Sequence, residues 1–274
     1  MPEAPELEVV KGFLIEHAVG ASVESARVLR PSVLRSLAGD FESEVPGRTI
    51  ENVRREGKFL TLALSGDRLL VVNPMLTGGF QWSEPSDRVF KRTCFTMTLS
   101  NGRELRYIDE RQMGRVYYVS PDRMEEIPQY AEMGLDALDE PLTLDEFKER
   151  LRPFRGEIKG IITRGRVIAG IGNAYVDEIL WEAEIYPFRK KRDLSDDDLQ
   201  RILDASKKVI TEAVGQVRDA MAGDIHRKRR DFLKVHNRGG EPCPRCGTKI
   251  SQLTANQRIT SYCRTCQPGL LLRR

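Results

Sequence analysis

The sequence predicts an α+β chain of two domains, a β-rich half followed by a helical half with a short cysteine-bearing end. Three observations predict it. Apolar and polar residues alternate in short runs from about residue 22 to 120. Apolar residues recur at helical spacing from about 143 to 221. Four of the five cysteines form two Cys-x-x-Cys pairs near the C-terminus. A length of 274 residues suits two ordinary domains, and 40% apolar residues are enough to bury a core in each. No apolar run approaches the roughly 18 residues of a membrane span. The opening Met-Pro-Glu-Ala-Pro-Glu-Leu-Glu is acidic and carries proline, unlike a secretory signal. These features exclude a membrane protein, a secreted disulfide scaffold and a fibrous protein. The expectation is a monomeric cytoplasmic protein.

The elements follow in chain order. Glu6 and Glu8, after Pro5, sit where the first turn of a helix favours acids, and Leu7, Val10 and Leu14 continue at helical spacing. Strands come next. The run 59–64 is followed by Ser65-Gly66-Asp67 and then by Leu69 to Val72. Phe95, Met97 and Leu99 alternate with Thr96 and Thr98, and Asn101-Gly102 then leads to Leu105 and Tyr107, a hairpin signal. Cys94 falls in this alternation and reads as a core residue. The first half is therefore an antiparallel sandwich or barrel with a helix at its start. The stretch 126–142, Ile127-Pro128 through Asp139-Glu140-Pro141, reads as a linker. Thr143 and Glu146 have capping-box spacing, Phe147 and Leu151 share one face of the helix they open, and Pro153 closes it. A short helix is expected over 157–162. Gly170-Ile171-Gly172-Asn173 opens a third helix, Ala174 to Ala183, and Ser195-Asp196-Asp197-Asp198 caps a long one reaching Met221. The expected boundaries are 1–125, 126–142, 143–225 and 226–274.

Cys243-Pro-Arg-Cys246 and Cys263-Arg-Thr-Cys266 are separated by 16 residues. This spacing is that of a tetrahedral four-thiolate zinc site, with a hairpin returning the chain to the metal. Cysteine at all four positions leaves no open coordination place, so the zinc is expected to be structural. Charge is uneven. Residues 226–274 hold 12 Lys or Arg against Asp231 and Glu241, while the first 225 carry 32 basic and 39 acidic groups. So basic an end suits a polyanion, because Lys and Arg on phosphates release condensed counterions. A merely solvated basic surface is the alternative on charge alone. His17, His226 and His236 show no ligand or triad spacing.

Five motifs in order carry a resemblance. They are Met-Pro-Glu-Ala-Pro-Glu at the start, Arg54-Arg55-Glu56-Gly57-Lys58, Asp109 to Gly114, Ala169-Gly170-Ile171-Gly172-Asn173 through Glu178, and Gln257-Arg258 through Gln267. With them the chain resembles, over essentially its whole length, the formamidopyrimidine-DNA glycosylase and endonuclease VIII family of DNA repair enzymes. The resemblance implies an N-terminal β-sandwich, a helix–two-turn–helix domain, a zinc finger, and damaged double-stranded DNA lying between the halves. It implies a DNA glycosylase with abasic-site lyase activity, associated with the nucleoid when bound to DNA. Pro2, exposed by removal of Met1, is the implied nucleophile, and Glu3 the implied proton donor. Glu6 matches a further acid of the opening motif, for which helix-dipole pairing is the alternative. Lys58 is implied at a phosphate near the lesion. Asn173 and Arg258 are implied at the phosphates around the extruded nucleotide. Lys159 is expected to join that clamp, with a solvated helix face as the alternative.

The void left in the duplex is implied to be filled by Leu76, with Met75 adjacent, together with Arg111 and Met113. Met113 departs from the family pattern, which has an aromatic residue there. The segment 226–234 is short and basic where many oxidised-purine enzymes carry a longer loop over the base, so it suits phosphates better than a purine. Two other readings stay open on the residues: a damage-binding protein without chemistry on the same scaffold, and a zinc-ribbon RNA-binding factor.

Overall fold

The computed structural model describes residues 1–139, 142–255 and 258–269. Glu140 and Pro141 of the expected linker, Gln257 of the ribbon motif, and Arg273 and Arg274 of the basic end lie outside them. The chain divides into two compact units. One comprises Met1–Glu132 and Val217–Arg229, the other Met133–Gln216 and Arg230–Arg274.

The first unit opens with α1 (Ala4–Ala18), which has Pro5 in its first turn. Then come the single turn α2 (Phe41–Glu44) and the strands β1 (Val23–Val28), β2 (Leu34–Ser36), β3 (Ile50–Glu56), β4 (Phe59–Leu64), β5 (Arg68–Asn73), β6 (Gly78–Ser83), β7 (Thr93–Leu99), β8 (Glu104–Asp109) and β9 (Arg115–Val119). They form two sheets, in the orders β1-β7-β8-β6 and β2-β9-β5-β4-β3, antiparallel except for the β2–β9 pair. Two sheets around a shared core settle the choice between sandwich and barrel. The core takes alternate residues of each strand: Leu60, Leu62 and Leu64 from β4, Leu70 and Val72 from β5, and Phe95, Met97 and Leu99 from β7. Each such side chain contributes roughly 1.5–3 kcal/mol by leaving water. The Asn101-Gly102 turn joins β7 to β8 as expected, pairing Thr98 with Glu104 and Met97 with Leu105, and Gly102 takes the left-handed backbone the turn requires. Cys94 is fully buried, which pushes its thiol up to about 11 and keeps it protonated.

The second unit contains β10 (Leu135–Asp136), α3 (Leu144–Leu151), α4 (Ile158–Ile162), β11 (Ile168–Ala169), α5 (Asn173–Glu182), β12 (Ser251–Ala255) and β13 (Arg258–Tyr262). It also contains the long helix α6 (Asp196–Met221) as far as Gln216, and β10 pairs in parallel with β11. The caps read from the sequence are present. Thr143 Oγ1 accepts the Glu146 N–H at 3.3 Å while Glu146 accepts the Thr143 N–H at 2.8 Å. Ser195 and Asp198 exchange the same pair of bonds at 3.2 and 3.0 Å. The strands β12 and β13 form the expected hairpin between the two cysteine pairs, with Ala255 opposite Arg258. Among the described residues, no helix is long and apolar enough to cross a membrane.

Candidate active site and nucleic-acid contacts

The N-terminus of the first unit is built in, not frayed. Pro2 is buried, and Glu3 and Glu6 are 2% and 1% exposed. Glu3 caps α1 in extended backbone, and its N–H donates to Glu6 Oε2 at 2.9 Å, so Glu6 fixes the residue next to Pro2. An open pocket of about 390 Å³ lies against this end of the helix, lined by Pro2, Glu6, Leu60, Gly79, Phe80 and His226 among others. Lys58 is half-buried in the β3–β4 turn, where Gly57 takes a positive φ. Arg55 ties that turn to α1, its Nε donating to Glu8 Oε2 at 2.7 Å and its Nη1 to the Gly57 carbonyl at 3.0 Å. Burial alone would raise the Glu8 carboxyl, but bonds from Lys11 and Arg55 hold it below the ordinary value.

His226 lines the pocket together with Pro2. Its backbone runs over Gly79, where a Cβ would meet the His226 carbonyl at 3.6 Å. Burial pushes the imidazole below its ordinary value, with Arg227 and Arg92 adding to the effect against Asp224. Nothing in its spacing signals this. The cue lies only in its place just past the long helix.

The expected void-filling residues stand on two neighbouring loops of this unit. Leu76, between β5 and β6, is 37% exposed, whereas Met75 is half-buried. Arg111 is exposed and Met113 is 45% exposed between β8 and β9. Lys228 Nζ donates to the Leu76 carbonyl.

In the second unit the residues expected to meet phosphate divide. Arg258 is exposed at the start of β13. Asn173 is the first residue of α5, and its Nδ2 donates to the Ile259 carbonyl at 2.7 Å. Lys159 differs from its expected placement: it is neither on a solvated face nor turned outward to a phosphate. It is 7% exposed, and its ammonium donates to Asp177 Oδ1 at 2.7 Å, the Ile259 carbonyl at 2.8 Å and Thr260 Oγ1 at 2.8 Å. The physical reason is Asp177, which is fully buried and needs a countercharge. Its other oxygen accepts from His236 Nδ1 at 2.8 Å and from the Ser261 N–H at 3.0 Å. Lys159 and Asn173 thus converge on the one carbonyl that follows Arg258 and hold the hairpin strand that presents it. Glu178 accepts the backbone N–H groups of Lys234, Val235 and His236 at 2.8, 2.9 and 2.7 Å, anchoring the chain that enters the cysteine region.

The four sulfurs of Cys243, Cys246, Cys263 and Cys266 lie within 4.8 Å of one another, with two separations of 3.9 and 3.4 Å. A tetrahedron of sulfurs about 2.3 Å from zinc has edges of about 3.8 Å, so the set fits the metal. Each pair sits on a tight turn, closed by Gly247 N–H to the Cys243 carbonyl at 2.8 Å and Gln267 N–H to the Cys263 carbonyl at 2.9 Å. Among the described residues, the buried cluster here is small, Trp181, Val235, Cys243, Ile250 and Cys263 with Cys266 packed against it, so the metal supplements a minimal core.

Comparison with known proteins agrees with this geometry. Residues 1–116 match the formamidopyrimidine-DNA glycosylase N-terminal domain, 133–222 the formamidopyrimidine-DNA glycosylase H2TH domain, and 240–269 the zinc finger found in FPG and IleRS. The formamidopyrimidine-DNA glycosylase of Pelotomaculum thermopropionicum is 34% identical over 273 residues, covering 97% of this chain and 99% of that protein. The chain belongs to the formamidopyrimidine-DNA glycosylase family. That family's enzyme from Corynebacterium glutamicum is 33% identical over 285 residues, covering 97% of this chain and 99% of its own. Two solved structures of the Lactococcus lactis protein are similar throughout. One, in complex with DNA containing FAPY-dG, has a TM-score of 0.89 at 26% identity, covering 97% of this chain and 100% of that one. The other, non-covalently bound to DNA containing an AP site, has a TM-score of 0.87 at 26% identity and the same coverage. The finger carries one structural zinc on the four cysteines.

Proposed function

We propose that this family member is a bifunctional DNA glycosylase and abasic-site lyase. Its substrate is double-stranded DNA carrying a damaged, oxidised base or an abasic site, and Pro2 is its nucleophile. The observation that carries this reading is the seat of Pro2, buried beside two buried carboxylates and lining an open pocket. A terminal α-amine has a pKa of about 7.7–8.0 against about 10.4 for lysine, so at pH 7 the unprotonated fractions are on the order of 10% and 0.04%. Removal of Met1 gives Pro2 such an amine. It attacks the sugar C1′ of an extruded nucleotide, the base leaves, and an iminium forms. Glu3 delivers and recovers the proton that opens the sugar. The iminium acidifies C2′–H, and the strand breaks by elimination.

The remaining residues serve this step. Lys58 meets the phosphate near the lesion, and Arg258 with the amide end of α5 at Asn173 meets the neighbouring phosphates. Leu76, Arg111 and Met113 fill the void. The Lactococcus lactis protein is described with FAPY-dG DNA and with abasic-site DNA, which supports the same partner here.

Borohydride trapping on an abasic-site duplex tests the reading, with intact mass used to confirm loss of Met1. One covalent adduct per chain is expected, and none once an extra residue precedes Pro2. An adduct that survives this block assigns the chemistry to another amine. No adduct and no strand cleavage leaves only damage binding.

A further inference from the structure

The two loops that carry the void-filling residues share a clasp. Asp109, the last residue of β8, is 1% exposed. Its Oδ1 accepts from the Thr77 hydroxyl in the β5–β6 loop and from the Arg111 N–H at 3.2 Å. Its Oδ2 accepts the Gly114 N–H at 2.6 Å, and the Arg111 N–H is also shared with Thr77 Oγ1 at 3.1 Å. Three donors from two loops therefore meet one carboxylate. Tyr107, two residues earlier on β8, adds a steric lock, because a Cβ at either Gly78 or Gly114 would collide with its buried hydroxyl. Met75 (φ +48°) and Gln112 (φ +51°) take left-handed backbone immediately before the exposed tips Leu76 and Met113. Such conformations persist only where surrounding contacts over-determine them.

We propose that Asp109 is the positioning residue of the void-filling apparatus, locking the Leu76 loop and the Arg111–Met113 loop into one rigid wedge. This rests on the DNA-repair reading above. An uncharged amide cannot replace the carboxylate, because its NH₂ would face the Thr77 and Arg111 donors or the Gly114 N–H. Thr77 must both donate to Asp109 and accept from Arg111, which valine cannot do. A wedge matters only where a base stack has a gap, so the clasp acts on duplex DNA and not on single strands.

The test uses the full zinc-loaded chain and two probes: a duplex with a stable abasic-site analogue, and the single strand carrying that analogue. Wild type must first prefer the abasic duplex to an undamaged one. Its failure to do so rejects the function proposed above, independently of the variants. For Asp109→Asn the duplex-to-single-strand affinity ratio is expected to fall about tenfold, and for Thr77→Val several-fold. Combining Asp109→Asn with Met113→Ala should lower the ratio no further than the worse single change, because the clasp acts through that tip. Equal losses on both probes, an unchanged ratio, or additive losses in the double variant overturn the proposal. If Asp109→Asn does not fold, Thr77→Val decides alone, and a ratio within twofold of wild type overturns the proposal.

Discussion

Replacing Lys159 by methionine separates a buried strut from a phosphate contact. Lys159 makes bonds of 2.7–2.8 Å to Asp177, the Ile259 carbonyl and Thr260, and its partner Asp177 has no exposed surface. Removing one member of a buried pair costs about 3–5 kcal/mol, because the other charge is left behind. Asp177 keeps His236 Nδ1 and the Ser261 N–H, which places the expected loss near the lower end, about 3 kcal/mol, or roughly a hundredfold in the folding constant. The two tryptophans make this measurable unit by unit, since Trp82 lies on β6 of the first unit and Trp181 on α5 of the second. In a Trp82→Phe background, urea unfolding followed by fluorescence reports the second unit alone. Salt dependence gives the complementary readout. Losing one phosphate contact to B-DNA lowers the slope of log affinity against log salt by about 0.9. Arg258→Ala is expected to lower the slope by that amount with little effect on unfolding. Lys159→Met is expected to do the reverse. A Lys159→Met protein that loses under about 1 kcal/mol, yet drops about 0.9 in slope, refutes the strut assignment.

Three further outcomes follow from the same contacts. Gly114→Ala drives a methyl group into the Tyr107 hydroxyl and should cost about 1–3 kcal/mol, part of which Tyr107→Phe restores in the double variant; calorimetry that finds the two changes additive contradicts the lock. Chelation under reducing conditions should remove one zinc per chain, change the fluorescence of Trp181, whose Nε1 lies 3.4 Å from Cys243 Sγ, and leave Trp82 unmoved; an unaltered Trp181 signal after metal loss counts against a structural ion. Burial holds His226 below its ordinary value of 6.5, so the unfolded chain binds more protons as pH falls through that value. Its stabilising contribution is therefore present above 6.5 and lost as pH drops through the folded value. His226→Gln should flatten the acid side of a thermal-unfolding profile, and an unchanged slope would show that the ring titrates as in the unfolded chain.

What the sequence revealed and what it hid divide by the range of the forces involved. The capping boxes at Thr143 and Ser195, the Asn101-Gly102 hairpin and the paired cysteines are local chemistry, in which a side chain meets a backbone group or partner only a few residues away. Such signals survive without any knowledge of the fold. Lys159 is the contrary case. Its partners lie 18, 100 and 101 residues away, and no spacing rule links a lysine on a short helix to a hairpin strand that distant. Read alone, a lysine near a DNA-binding motif is assigned to DNA, because counterion release rewards almost any surface cation.

The buried carboxylates of Asp109 and Asp177 likewise act across distant segments. Arg111, Met113 and Arg258 are exposed and so stand out as motif residues. A buried carboxylate that gathers N–H and O–H donors from separate loops leaves no outward mark, yet it sets where those groups stand. Asp109 receives donors from both loops that carry Leu76 and Met113, and Asp177 receives them from three segments around Ile259. The same physics governs both. Desolvating a carboxylate is costly unless several donors converge on it, and their convergence fixes the backbone they belong to. The placement of Leu76, Met113 and the Arg258 strand therefore depends on acids that are themselves buried. Their substitution should act on discrimination and on unit stability more than on the net charge the chain presents to phosphate.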